Sequence, residues 1–162
     1  MNFDDAKAYA RWLTEHERDA GRLPEEYVCR LPTEAEWMTF AQCGDGREYP
    51  WGNEWPPLSG QAGNYHGQEG AGTWDKISGY NDGFPVTAEV DKLWRNPWGL
   101  HGVGGNVWEA CASDTAADQA WFAWRGASWD RIFQDRLRCS RRLILDASAR
   151  NDDLGFRLVL SR

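Results

Sequence analysis

The chain has 162 residues, enough for one domain with its own core, and its 41% hydrophobic and 27% charged residues are typical of a globular protein rather than a disordered one. Its net charge of −7 argues against nucleic acid as a partner, because phosphate binding requires a basic surface. No apolar run is long enough to cross a membrane, and the first residues do not form a signal peptide. The 11 tryptophans and 17 glycines instead predict a loop-rich core filled by aromatic rings.

Two helices are predicted in the first part of the chain. Asp4 or Asp5 can cap the first helix, whose apolar residues recur at helical spacing as far as Leu13. The second helix begins at a capping box, with Thr33 as the N-cap and a glutamate three residues later, and it ends by Gly44. Both helices therefore precede the irregular part of the chain.

Regular periodicity disappears between residues 44 and 97, a stretch rich in Gly, Pro, Asn and Trp. A loop of this length is rare in a compact domain unless something orders it, and we consider buried tryptophans and a bound metal. Strands are predicted to resume at residues 103–111, 121–128 and 155–160. The four cysteines show no C-x-x-C spacing and do not require an oxidising compartment, although disulfides are compatible with the sequence.

Two charged residues stand inside apolar strand sequences. Glu109 follows Val107 and Trp108, and a buried carboxylate there needs either a cationic partner or a metal. Arg157 lies between Phe156 and Leu158, so it needs a buried acidic or carbonyl partner. Each residue therefore predicts a polar contact within the core.

Six short blocks resemble, in the same order, the formylglycine-generating-enzyme (sulfatase-modifying) family. The resemblance implies an α+β domain with a C-type-lectin-like fold, built from two helices, short antiparallel strands and much ordered loop. We expect a single domain over residues 1–162, with the N-terminal part of the family domain absent. The blocks are RLPTEAEW (30–37), YPWG (49–52), NPWGL (96–100), GNVWE (105–109), RGASW (125–129) and GFRL (155–158).

The resemblance implies a copper centre in the catalytic members, held by two cysteine thiolates that follow the block at 125–129. Thiolate pairs suit Cu(I), but residues 128–138 contain no cysteine, and Cys139 alone cannot form the site. A related branch binds iron through three histidines, whose spacing His16, His66 and His101 do not match. We therefore expect no catalytic residues and neither copper nor iron, with a metal-dependent oxidase of this family as an alternative.

The resemblance also implies a calcium site. Its ligands would be Asn64, the Tyr65 carbonyl, Asp82 and the Phe84 carbonyl, all hard oxygen donors. The alternative is a network of Asx turns that braces the loop without metal. A second family site is in doubt, because its leading Asn is replaced by Gly102.

Residues 130–153 have an unusual composition, with bulky apolar side chains set among Arg and Asp and no Glu, Lys, Met or Trp. Mutation of the adenines in Asn AAY codons produces none of those four types, although Gln134 departs from the rule. The segment resembles the variable region of diversity-generating-retroelement target proteins, which place it at the C-terminus of this fold, and it predicts a variable ligand-binding region at 125–158. The expected recognition residues are Asp130, Ile132, Phe133, Asp135, Leu143, Ile144, Asp146, Ser148, Asn151 and Asp153.

The favoured function is thus a non-catalytic protein that binds a protein or other macromolecular ligand through this surface. Apolar, aromatic and Arg side chains together are typical of interface hot spots. A chance composition in an ordinary non-catalytic family member, and an accessory structural domain of a larger complex, are the remaining alternatives. The sequence does not determine a compartment, and display on a cell surface or virion would be compatible with it.

Overall fold

A computed structural model describes residues 1–72, 74–112 and 121–162. It contains two α-helices, α1 (Phe3–Asp19) and α2 (Glu34–Ala41), as predicted. The N-cap of α1 is Asn2, however, and not Asp4 or Asp5. Asn2 and Asp5 form a reciprocal capping box, so the acidic residue serves as the third helical residue rather than as the cap.

The cap of α2 agrees with the sequence. The Thr33 hydroxyl accepts a hydrogen bond from the Glu36 amide, and the Glu36 carboxylate accepts one from the Thr33 amide. Glu36 also forms a bidentate pair with Arg30, which together with the amide of Thr33 lowers the pKa of Glu36 to about 2. The capping box therefore fixes the start of α2 against the preceding strand.

Among the described residues, six short strands form two sheets. A four-stranded sheet has the order β4-β3-β2-β5, with antiparallel pairing except between β2 and β5, which are parallel. A two-stranded antiparallel sheet joins β1 to β6. The strands are β1 (Val28–Arg30), β2 (Trp108–Cys111), β3 (Trp121–Arg125), β4 (Leu143–Asp146), β5 (Leu154–Gly155) and β6 (Val159–Ser161).

The four-stranded sheet separates two groups of buried side chains. Trp108 and Trp124 belong to the larger core, which also contains the tyrosines of the long loop. Cys111 belongs to a smaller core under α2, where it packs with Trp37 and Phe40. Side chains alternate between the two faces of a strand, so neighbouring residues of β2 serve different cores.

The long loop between α2 and β2 is ordered by aromatic packing, but the prediction that buried tryptophans order it is wrong. Its fully buried rings are tyrosines rather than tryptophans: Tyr49, Tyr65 and Tyr80. Tyr49 stacks on Trp51 with 4.7 Å between the ring centroids, and the Tyr80 hydroxyl donates to the Gly63 carbonyl. These rings supply the packing that regular secondary structure would otherwise provide.

Residues 143–145 show no regular hydrophobic period in the sequence, yet they lie in β4 at the edge of the sheet. Leu143 and Leu145 pack against the larger core, whereas Ile144 is exposed. The pattern is hard to see in the sequence because the outward residue is itself apolar. In the described part of the chain, no helix has the length and apolar character needed to span a membrane.

Candidate functional site

The position expected for a copper centre holds no thiol pair. Residues 128–138 lack cysteine, and the neighbouring Cys139 is buried. Burial raises the pKa of Cys139 to about 12, which leaves its sulfur in the poorly nucleophilic thiol form at neutral pH. Within residues 1–72, 74–112 and 121–162, no three His, Cys, Asp or Glu side chains are arranged to hold a metal ion.

The two buried charges predicted from the strands are each other's partners. Arg157 donates to both carboxylate oxygens of Glu109, at 2.6 and 2.5 Å, and also to the carbonyls of His101 and Gly102. The Trp37 indole N–H donates to Glu109 at 2.7 Å. Both oxygens of Glu109 are thus engaged within the protein, and Arg157 is the cationic partner that the buried carboxylate needs.

A cleft of about 350 Å³ lies beside the segment that follows Ser128; we call it the 130–136 cleft. Residues 130–133 and Arg136 form one wall, and His66, Trp74 and Asp75 from the long loop form the other. Phe133 and Trp74 are exposed by 58% and 70%, respectively. Two large aromatic side chains therefore face solvent at the edge of a concave surface, which is typical of a binding site.

His66 forms part of the floor of this cleft. Its side chain is buried, and neither ring nitrogen has a hydrogen-bond partner among the described residues. The His66 amide donates to the Arg131 carbonyl at 3.2 Å, so the two walls are joined through their backbones. The backbone of buried His66 therefore fixes the position of one wall relative to the other.

A polar network holds the 130–136 wall in place. The Ser128 hydroxyl lies 2.7 Å from an Asp130 oxygen and 3.2 Å from an Asp153 oxygen, and Arg131 donates to Asp153 at 3.0 Å. The prediction that Asp153 belongs to the exposed recognition face is therefore wrong. Asp153 is only 6% exposed, and its carboxylate accepts hydrogen bonds from Ser128 and Arg131.

The other predicted recognition residues fall into two groups. Asp130, Ile132 and Phe133 line the cleft, and Asp135 is exposed within the same segment. The second group lies on or after β4, where none of its members lines the cleft, and it consists of Leu143, Ile144, Asp146, Ser148 and Asn151.

The turn that follows β4 is held by its own side chains. Asp146 accepts hydrogen bonds from the Ser148 hydroxyl at 2.6 Å and the Ser148 amide at 2.8 Å, and these donors lower the pKa of Asp146. Ile144 is exposed, whereas Leu143 is half-buried. In this second group, Ile144 is therefore the large apolar side chain that is available for contact.

Sequence reasoning missed the wall formed by His66, Trp74 and Asp75. These residues lie more than fifty positions before the other wall and carry no periodic pattern. The one available signal was a tryptophan inside a glycine-rich polar stretch, which is unusual for a solvent-facing loop. Only the tertiary fold brings the two segments together.

Hydrogen bonds join three of the predicted calcium ligands, Tyr65, Asp82 and Phe84, from two separate parts of the long loop. The Asp82 carboxylate accepts hydrogen bonds from the Tyr65 amide at 2.8 Å and the Phe84 amide at 2.9 Å, the second of which forms an Asx turn. Asn64 is fully buried, and its Oδ1 atom has no partner among the described residues. Burial raises the pKa of Asp82 to about 6. The Tyr65 and Phe84 amides account for both Asp82 oxygens, as in the alternative of an Asx-turn network, and Asn64 Oδ1 is the oxygen that this network leaves without a partner among the described residues.

Some of the curated proteins that this chain resembles are named as enzymes, and others are named as inactive. It is 40% identical over 119 residues to a formylglycine-generating enzyme of Thermomonospora curvata, covering 73% of this chain and 33% of that protein. It is 35% identical over 164 residues to the inactive Cα-formylglycine-generating enzyme 2 of Bos taurus, covering 97% of this chain and 48% of that protein. The chain thus spans between a third and a half of the length of these relatives.

Solved structures share the fold. Variable protein 1 of Treponema denticola superposes with a TM-score of 0.62 at 28% identity, covering 84% of this chain and 48% of that one. PvdO from Pseudomonas aeruginosa superposes with a TM-score of 0.70 at 22% identity, covering 98% of this chain and 59% of that one. The family model for the sulfatase-modifying factor enzyme 1-like domain matches residues 1–162. The chain therefore belongs to the formylglycine-generating-enzyme-like family and has its C-type-lectin-like α+β fold.

Proposed function

We propose that this domain binds a macromolecular ligand through the exposed side chains at and beyond the 130–136 cleft, and that it catalyses no reaction of its own. We further propose that it is the target protein of a diversity-generating retroelement, with its variable residues in this surface. The observation that carries the proposal is the combination of an exposed Phe133 with a buried, hydrogen-bonded frame beneath it.

The frame is independent of the side chains that face solvent. Leu137 and Cys139 are buried immediately after the cleft wall, and the Cys139 amide donates to the Glu48 carbonyl at 2.8 Å. Ser128 and Asp153 anchor the wall from the other side. Exposed residues between such anchors can change without loss of backbone order, which is what a variable recognition surface requires.

The chemistry of the surface favours binding over catalysis. Exposed aromatic and aliphatic groups beside arginines are enriched at interface hot spots. The thiolate pair needed for copper is absent from residues 128–138, and Cys139 is a buried thiol. Relatives described as inactive, and a structural neighbour described as a variable protein, support the same interpretation.

Sequencing of the flanking DNA tests the proposal at residue level. The expected result is a near-copy repeat of the 3′ coding region beside a reverse-transcriptase gene, differing only where the repeat has adenines. The differing codons should fall on exposed positions such as Phe133, Asp135 and Ile144, and should avoid buried Leu137 and Asp153. The absence of any repeat, or differences concentrated at buried positions, would contradict the variable assignment.

A further inference from the structure

The strand β4 (Leu143–Asp146) lies at the end of the four-stranded sheet, and in the described part of the chain it pairs with β3 alone. None of the backbone groups of residues 143–145 bonds to a described residue outside the sheet. The sequence RLILD (142–146) contains neither the proline nor the lysine that commonly protects a free sheet edge. The free edge of β4 can therefore pair with a strand of another chain.

An exposed apolar surface adjoins this edge. Ile144 lies opposite Ala123, and Asp146 lies opposite Trp121, so these four side chains are on the same face of the sheet. Ile144 and Trp121 are both exposed. Two large apolar side chains on neighbouring strands thus face solvent beside the free edge.

The two ends of β4 carry opposite charges that are not fully used within the chain. Arg125 donates to Glu34 Oε2 at 2.6 Å and Arg142 donates to Glu34 Oε1 at 2.6 Å, so two guanidinium groups share one carboxylate. At the other end, both donors to Asp146 come from Ser148 and use Oδ1, and Oδ2 accepts no hydrogen bond from the described residues. One end of the strand therefore offers a cation and the other end a carboxylate.

We propose that β4 pairs with β4 of a second copy of this chain, antiparallel and centred on Ile144. In this register Arg142 of each copy lies opposite Asp146 of the other, and the two Ile144 side chains lie opposite each other. The contact is isologous, because the same residues are used twice about a two-fold axis. It joins the two four-stranded sheets into one continuous sheet.

The charges disfavour the other ways of pairing two identical edges. Parallel pairing in register would place Arg142 opposite Arg142 and Asp146 opposite Asp146, and like charges that lie opposite each other are destabilising. An antiparallel register centred on Leu143 or Leu145 would place both charges opposite uncharged residues. A single pair of short strands buries little area, so the dimer is weak and forms at high protein concentration.

This pairing goes beyond ligand binding. No residue of β4 lines the 130–136 cleft, so the dimer leaves the cleft open. Ile144 contacts the second copy in the dimer and is available to a ligand in the monomer. Loss of dimerisation and loss of ligand binding at the cleft are therefore separate outcomes.

Sedimentation velocity of two charge-reversal variants, alone and mixed, tests the proposal. Arg142→Asp and Asp146→Arg each place like charges opposite each other in this register, so each variant alone should dimerise more weakly than the wild-type chain by about tenfold or more. In an equimolar mixture opposite charges face each other again at both ends, and we expect dimers to form. The matched control is Glu15→Arg, which makes the same change of charge at an exposed position of α1 and should dimerise like the wild-type chain.

A salt titration provides a readout on the unmodified chain. The dimer should dissociate as the sodium chloride concentration rises, because salt screens the pairs between Arg142 and Asp146. A wild-type chain that is monomeric at millimolar concentration, or a dimer that neither salt nor either substitution weakens, would overturn the proposal. A mixture of the two variants that stays monomeric, although circular dichroism shows both to be folded, would overturn it as well.

Discussion

The buried pair between Arg157 and Glu109 is the sharpest test of the packing. We predict that Arg157→Met strongly destabilises the domain, because it leaves the Glu109 carboxylate, only 5% exposed, with the Trp37 indole N–H as its remaining side-chain donor. The arginine side chain is itself largely shielded, with 20% of its surface exposed, so solvent screens the pair weakly.

Removing one partner of a buried ion pair costs about 3–5 kcal/mol. For a domain of this length each kcal/mol shifts the melting temperature by roughly 2–4 °C, so a fall of roughly 6–20 °C is expected. The matched control is Arg150→Met, which breaks the exposed pair between Arg150 and Asp5 and should cost no more than about 1 kcal/mol.

Urea unfolding followed by tryptophan fluorescence gives the two free energies under identical conditions. A third variant, Glu109→Leu combined with Arg157→Met, should recover part of the loss, because an apolar pair no longer buries an uncompensated charge. If Arg157→Met costs no more than Arg150→Met, the proposed role of the buried pair is refuted.

Three further predictions follow from burial and backbone geometry. Gly105→Ala should cost at least about 2 kcal/mol more than Gly21→Ala, because both have positive φ but only at Gly105 would a Cβ overlap a neighbouring carbonyl; equal losses in urea unfolding would contradict this. Phe133→Asp should change the free energy of unfolding by less than about 1 kcal/mol, whereas Leu137→Asp should prevent folding at 37 °C, because Phe133 is exposed and Leu137 is buried. Circular dichroism at 37 °C distinguishes a folded variant from an unfolded one. The same degree of folding in both variants would contradict the proposal that this surface tolerates substitution. Cys139 should react with a thiol reagent at pH 8 only after denaturation, since burial raises its pKa to about 12; rapid labelling of the native protein would oppose the buried assignment.

Features that depend on local sequence could be predicted. The capping box at Thr33 and Glu36 involves residues three apart, so its residue types alone specify the contact. At α1 the predicted cap was two or three positions too late, although the Asn2–Asp5 capping box is also formed by residues three apart. The existence of both helices was thus predictable, whereas the first residue of α1 was misassigned.

Features that depend on distant segments could be predicted only in part. The sequence indicated that Glu109 and Arg157 each need a partner, but not that they pair with each other, since 48 residues separate them. The parallel pairing of β2, which contains Glu109, with β5, which ends two residues before Arg157, brings the two charged residues together. Likewise, Asp153 looked like one more exposed acid of a variable segment, although its carboxylate anchors Ser128 from within the fold.

We propose that this domain recognises a ligand and has no redox centre beneath residues 128–138. The most direct measurement is copper content by mass spectrometry after incubation with Cu(I), combined with an oxidation assay on a cysteine-containing peptide. We expect less than stoichiometric copper after desalting and no oxidised peptide above the protein-free control. One tightly held copper per chain together with formation of formylglycine would contradict it.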